Sequence, residues 1–189
     1  MSKIILGLTS QIAAGKGTTT EYLTKNYKAS SYRFSTILRD VLNRLYLEHS
    51  RENISKISTV LRKNFSEDIL AKVIYEDVKK DEREIIIVDG VRRLADIVYL
   101  KKLPGFRLVF ISTDMEKRYQ RIILRKENVD DTGKTFEQFK KDHELETELQ
   151  IANLKEVADI VIDNNGSFED LYKQVDKIVK ELLEKNESR

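Results

Sequence analysis

The chain has no cysteine, which excludes disulfides, thiolate metal sites and cysteine nucleophiles and is compatible with a reducing compartment. Tryptophan is absent as well, and proline occurs once. Charge of one sign is missing in a different way: 34 Lys plus Arg face 32 Asp plus Glu. No single-sign run marks a nucleic-acid arm, so any affinity for anions has to be built locally. Long hydrophobic runs are also missing. Ile4 to Leu8 is far too short for a signal or a membrane span, and no later run reaches about 18 apolar residues. The expectation is a cytoplasmic protein that uses neither nucleic acid nor membrane as a partner.

What is present reads as strands alternating with helices. Ile4 to Leu8 is an apolar run, followed by a glycine-containing turn and a helical segment from Lys16 to about Asn26. Ala29 to Phe34 suits a second strand, and Ile37, Leu38, Val41, Leu42 and Leu45 have amphipathic helical spacing with Ser35 as N-cap. Helical patterns cover Asn53 to Phe65 and Ser66 to Lys80. The run Ile85-Ile86-Ile87-Val88 suits a central parallel strand buried on both faces. A helix is expected from about Arg92 to Leu103, strands at Arg107 to Ser112 and Asp159 to Asp163, and helices over Asp114 to Lys126, Phe136 to Ala158 and Phe168 to Leu183. Such alternation implies right-handed crossovers and an α/β fold with a parallel sheet.

The segment Gly7-Leu8-Thr9-Ser10-Gln11-Ile12-Ala13-Ala14-Gly15-Lys16-Gly17-Thr18-Thr19 lies between a strand and a helix. That is the context of a phosphate loop. Small residues at Ala13, Ala14, Gly15 and Gly17 let backbone N–H groups turn toward an anion. The helix N-terminus adds partial positive charge, and Lys16 reaches the outer phosphates. Ser10 occupies the slot where the usual pattern has its first glycine, and Gly17 leaves Thr18 as the nearest hydroxyl after the lysine, ahead of Thr19.

Asp89 ends the central strand, where ligands of doubly wound sheets bind. A Mg²⁺ bridging the outer phosphates needs such an oxygen ligand, direct or through water, with Thr18 as a second candidate. Arg92 and Arg93 follow within four residues and can hold an acceptor phosphate bidentately.

The Gly-Lys-Gly-Thr ending resembles the adenylate kinase and nucleoside monophosphate kinase group. Gly7-Leu8-Thr9 and Ala158 to Ser167 are similar to dephospho-CoA kinases. Both resemblances imply one P-loop kinase superfamily with ATP and Mg²⁺ as cofactors. They also imply a P-loop NTPase three-layer sandwich: a five-stranded parallel sheet with helices on both faces, as a single domain over 1–189. An acceptor-binding helical insertion is then expected at 35–80 and a short lid at 126–135. Asp89-Gly90-Val91-Arg92-Arg93 resembles the adenylate kinase motif that aligns Arg93 with an acceptor-binding arginine. Phe34 to Arg39 is similar to the acceptor segment of the same kinases, with Thr36 in an acidic position and Arg39 retained. Arg121-Ile122-Ile123-Leu124-Arg125 resembles the segment whose first arginine stacks on the donor base and whose second reaches the phosphates. Asn165 and Gly166 fall in the turn that packs beside the donor base in these kinases.

The expected chemistry is transfer of the terminal phosphoryl group of ATP to a small-molecule nucleotide, with Lys16, Asp89, Arg121 and Arg125 in catalytic roles. A nucleoside monophosphate needs no strong base because its phosphate is already anionic, whereas a ribose hydroxyl would need a general base near the acceptor. A nucleotide-dependent switch is the third reading, but the Asn-Lys-x-Asp guanine tetrapeptide is absent. His49 and His143 are isolated and imply no metal helix.

Overall fold

A computed structural model describes residues 3–125, 135–142 and 146–187, and the side chains at 125, 142 and 146–148 lie outside that description. Five parallel strands, β1 (Ile4–Ser10), β2 (Ser30–Arg33), β3 (Ile85–Asp89), β4 (Phe106–Ser112) and β5 (Ile160–Asp163), form one sheet in the order β2-β3-β1-β4-β5. The expected α/β class and five-stranded parallel sheet are what the structure contains.

Alternation along the strands divides the core between two faces. Ile5, Ile86, Val88 and Leu108 pack with residues of α2 (Phe34–Arg44) and α4 (Ile69–Lys80), among them Leu38, Leu70, Ile74 and Val78. Leu6, Leu8, Ile87 and Val109 pack on the opposite face with α1 (Lys16–Tyr27) and α8 (Phe168–Glu187), through Leu23, Leu171, Val175 and Val179. Full burial of each such aliphatic side chain contributes about 1.5–3 kcal/mol. Gly7 permits close packing in β1: a Cβ there would stand 2.9 Å from ring carbons of Phe106.

The helical insertion expected at 35–80 consists of α2, α3 (Arg51–Asn64) and α4. Ser50 caps α3, its Oγ accepting from the Asn53 N–H at 3.2 Å. Ser35, expected as the cap of α2, lies inside that helix instead; the N-cap is Arg33 with extended backbone and no side-chain cap bond.

The segment after β3 also departs from expectation. In place of one helix over 92–103 there are two 3₁₀ turns, Leu94–Ile97 and Leu100–Lys102. Buried Asp96 accepts the backbone N–H groups of Arg92 and Arg93, both at 3.0 Å, and so tightens the first turn. The second closes on bonds from Lys102 N–H to Tyr99 O and Leu103 N–H to Leu100 O, both at 2.9 Å, just before Pro104. Further along, α5 spans Met115–Arg125, and the helical stretch expected over 136–158 comprises α6 (Phe136–Asp142) and α7 (Glu146–Glu156). The expected lid at 126–135 lies outside the described residues except for Thr135, and His143 lies outside them too. Exposed His49 meets Asn43 Oδ1 at 2.6 Å.

Candidate active site

The loop between β1 and α1 turns on two left-handed residues, Ala13 (φ 61°) and Gly15 (φ 102°). A Cβ at Gly15 would run into the side-chain amide of Asn164. Gly15 is the N-cap of α1 and, among the described residues, no side chain caps that helix, so its first-turn N–H groups can meet an anion.

The loop is fastened from behind. Ala14 O accepts from Asn164 Nδ2 at 2.8 Å and from Thr113 Oγ1 at 3.0 Å. Thr113 follows β4 and Asn164 follows β5, so the ends of two strands fix one loop carbonyl. From α5, Arg121 Nη2 donates to Asn164 O at 2.9 Å and Nη1 reaches Thr113 Oγ1 at 3.4 Å. Burial lowers the Arg121 pKa from its ordinary value. Arg118, itself buried, donates from Nε to Thr113 O at 3.0 Å.

At the front of the loop, Lys16 Nζ donates to Asp89 Oδ1. Asp89 is fully buried, and its other oxygen, Oδ2, accepts from Arg33 Nε at 2.7 Å with Arg33 Nη2 at 2.6 Å. One carboxylate is thus held by two cations. The sheet dictates the meeting: Leu8 and Arg33 flank Asp89 in the parallel register, and Lys16 opens the helix that follows β1. Thr18 is half-buried, and Gly17 is exposed. Thr19 is buried with its hydroxyl donating to Gly15 O at 3.2 Å.

In α2, Arg39 Nη1 donates to Ser35 Oγ at 2.8 Å, and Thr36 one residue beyond that serine is exposed. The two arginines after Gly90 part company. Arg92 is exposed, and its side chain makes no hydrogen bond or ion pair among the described residues, whereas Arg93 pairs with Glu67 Oε1. Arg62 reaches from α3 to Asp96 Oδ1 at 3.0 Å and also pairs with Glu67 at 3.6 Å. These links tie the insertion to the segment after β3.

Asn165 and Gly166 form a turn: Asn165 Oδ1 accepts the Asp114 N–H at 2.9 Å, and a Cβ at Gly166 would sit 2.7 Å from Asp170 Oδ2. The neighbouring Asn164 makes the direct contact with the phosphate loop. Arg125 ends α5, but its side chain is outside the description. Sequence reasoning also missed Thr113 and Arg33. An arginine at the end of β2 becomes informative only once β2 is known to lie beside β3.

Among the described residues, no group of three or more His, Asp or Glu is placed to hold a metal. Magnesium at phosphate sites takes most of its ligands from phosphate and water and needs only one or two protein carboxylates. Asp89, a hard oxygen donor paired with the phosphate-loop lysine Lys16, fits that requirement. No helix among the described residues is long and apolar enough to cross a membrane.

The model of the AAA domain family matches residues 12–140. A UPF0200 protein of Staphylothermus marinus is 32% identical over 155 residues, covering 82% of this chain and 80% of that protein. A UPF0200 protein of Methanocaldococcus jannaschii is 29% identical over 184 residues, covering 95% and 91% respectively. In fold, the chain is similar to shikimate kinase from Bacteroides thetaiotaomicron, with TM-score 0.62 at 14% identity over 96% of this chain and 98% of that one. It is also similar to dephospho-CoA kinase from Campylobacter jejuni, with TM-score 0.60 at 18% identity over 97% and 99%. The fold is that of the P-loop kinases.

Proposed function

We propose, from the premise that this chain belongs to the UPF0200 family and to the AAA domain family, that it is an ATP-dependent phosphotransferase acting on a nucleoside monophosphate. The observation that carries the reading is the meeting of Lys16 and buried Asp89 in front of a helix N-terminus that no side chain caps. Lys16 would exchange Asp89 for the outer phosphates, while Asp89, with Thr18 nearby in sequence, would hold Mg²⁺ directly or through water. The metal would supply charge neutralisation at the phosphates when bound. Ala13, Ala14, Gly15 and Gly17 give the loop its anion-facing backbone, and Arg121 stands behind it. Arg125 is kept as a phosphate-binding candidate from the sequence resemblance alone. Asn165 and Gly166 would flank the donor base.

An acceptor phosphate oxygen would attack the γ-phosphorus in line, forming the new P–O bond as the bond to the β–γ bridging oxygen breaks and ADP leaves. Arg92, Arg93 and Arg39, with Thr36 beside them, are the proposed acceptor contacts. An anionic acceptor is favoured because Asp89 is engaged by two cations and an arginine, not a carboxylate, ends β2. A ribose-hydroxyl acceptor, as in dephospho-CoA, is the alternative.

The test is ADP release from ATP and Mg²⁺ across all ribo- and deoxynucleoside monophosphates and dephospho-CoA. Acceptor-dependent turnover with one or a few monophosphates is expected. Turnover with dephospho-CoA alone transfers the assignment to hydroxyl phosphorylation, and no turnover with any acceptor refutes the proposal.

A further inference from the structure

We infer that Arg33 is a positioning residue of the phosphoryl-transfer site: it holds Asp89 by Oδ2 and makes occupation of Oδ1 by a divalent cation depend on the arrival of the triphosphate. The inference rests on the function proposed above and extends it to a residue that no motif in the sequence marks.

The geometry is asymmetric. Both contacting Arg33 nitrogens, Nε at 2.7 Å and Nη2 at 2.6 Å, converge on Asp89 Oδ2, and among the described residues Lys16 alone holds Oδ1. The carboxylate is fully buried, while the Arg33 side chain is 50% exposed and that of Lys16 25%. Arg33 is therefore the lid on the buried charge, and Lys16 is the partner with somewhere else to go. Two monocations on one carboxylate leave a local excess of positive charge. A dication approaching Oδ1 meets that excess and has to displace Lys16, which is unfavourable while Lys16 has no other anion. A triphosphate changes the balance by giving Lys16 a new partner and bringing its own negative charge. Oδ1 is then released, still oriented because Arg33 retains Oδ2. In the parallel register Arg33 stands directly opposite Asp89, so the hold is built into the pairing of β2 with β3.

The experiment follows Mn²⁺ by electron paramagnetic resonance, with and without ATP, in the wild type, Arg33→Gln and Arg33→Lys, alongside steady-state kinetics. In the wild type, Mn²⁺ alone is expected to bind weakly and ATP to strengthen its binding. Arg33→Gln removes one of the two opposing cations, so Mn²⁺ alone should bind at least about tenfold more tightly and the enhancement by ATP should shrink. Its kcat should fall with the KM for ATP within about twofold, because Asp89 loses its orientation and the loop is untouched. Arg33→Lys should restore the weak binding of Mn²⁺ alone and part of kcat. Equal Mn²⁺ affinity in Arg33→Gln and the wild type overturns the inference while leaving the function intact. A wild type that binds no ATP overturns both. If Arg33→Gln fails to fold, Arg33→Lys decides alone. A lysine cannot place two donors from one planar group on Oδ2, so an intermediate kcat at unchanged KM for ATP is expected, and wild-type kcat overturns the inference.

Discussion

The two halves of the site are held by different kinds of interaction. The half proposed for the donor is fastened by hydrogen bonds to one loop carbonyl, Ala14 O, from Asn164 and Thr113, both buried. The half proposed for the acceptor is held by ion pairs, from Arg93 to a Glu67 that is 60% exposed and from Arg62 to Glu67 and buried Asp96. Buried bonds to a backbone carbonyl have no competitor and keep one geometry. A pair that reaches the surface is worth little in itself, about 0–1 kcal/mol, and yields easily to a better anion. The phosphate loop is thus held in one geometry, whereas the exposed Arg93–Glu67 pair is one that a substrate phosphate would replace.

The largest effect is expected at Lys16, which opens α1 and pairs with Asp89. Lys16→Ala should reduce turnover by at least about 10²-fold with an unchanged circular dichroism spectrum; full turnover would remove Lys16 from the chemistry. Next, Arg92→Ala combined with Arg93→Ala should raise the acceptor KM by roughly 10–10²-fold and leave the ATP KM within about twofold, as expected for losing charge-assisted contacts to one substrate. Equal changes in both constants would erase the division into halves.

Asn164→Ala sharpens the donor side. Loss of its bond to Ala14 O should cost about 1–2 kcal/mol in denaturant unfolding. The loosened loop should also weaken ATP binding by roughly tenfold, with little change in acceptor KM. The smallest effect concerns the turn behind the loop. The Ser167 backbone N–H and hydroxyl hold the Asp170 carboxyl below its ordinary value. A pKa lowered on folding stabilises the protein above the unfolded-state value, about 4, and that contribution is lost as the pH falls through the folded value. Asp170→Asn should therefore be less stable than the wild type at pH 7 and converge with it in acid, as read from thermal melts over a pH series.

The parts that were legible in the sequence are those written in neighbouring residues. The β-branched run Ile85 to Val88 announces a central strand, and Gly15-Lys16-Gly17-Thr18 between strand and helix announces a phosphate loop. Asp89 is legible because strand ends face the crevice. The segment after Arg93 read as a helix from its apolar spacing, but Asp96 is drawn inward by two backbone N–H groups and Arg62, which favours tight turns. Arg33, and the contact of the turn residue Asn164 with the loop, stayed hidden for a related reason. Their partners lie 56 and 150 residues away in the chain, so their roles depend on strand order. Asn165 and Gly166 drew attention as turn formers, while the residue that touches the loop is one position earlier.

On the proposed function, the clasped pair Lys16 and Asp89 marks a site for transferring phosphoryl groups between nucleotides. Phosphorus NMR of ATP, Mg²⁺ and the nucleoside monophosphate chosen by the screen follows each phosphorus directly. Loss of the γ resonance matched by a new diphosphate β resonance on the acceptor, absent with Lys16→Ala, is the predicted result. ATP that stays intact, or a γ-phosphorus that appears only as inorganic phosphate, would contradict it.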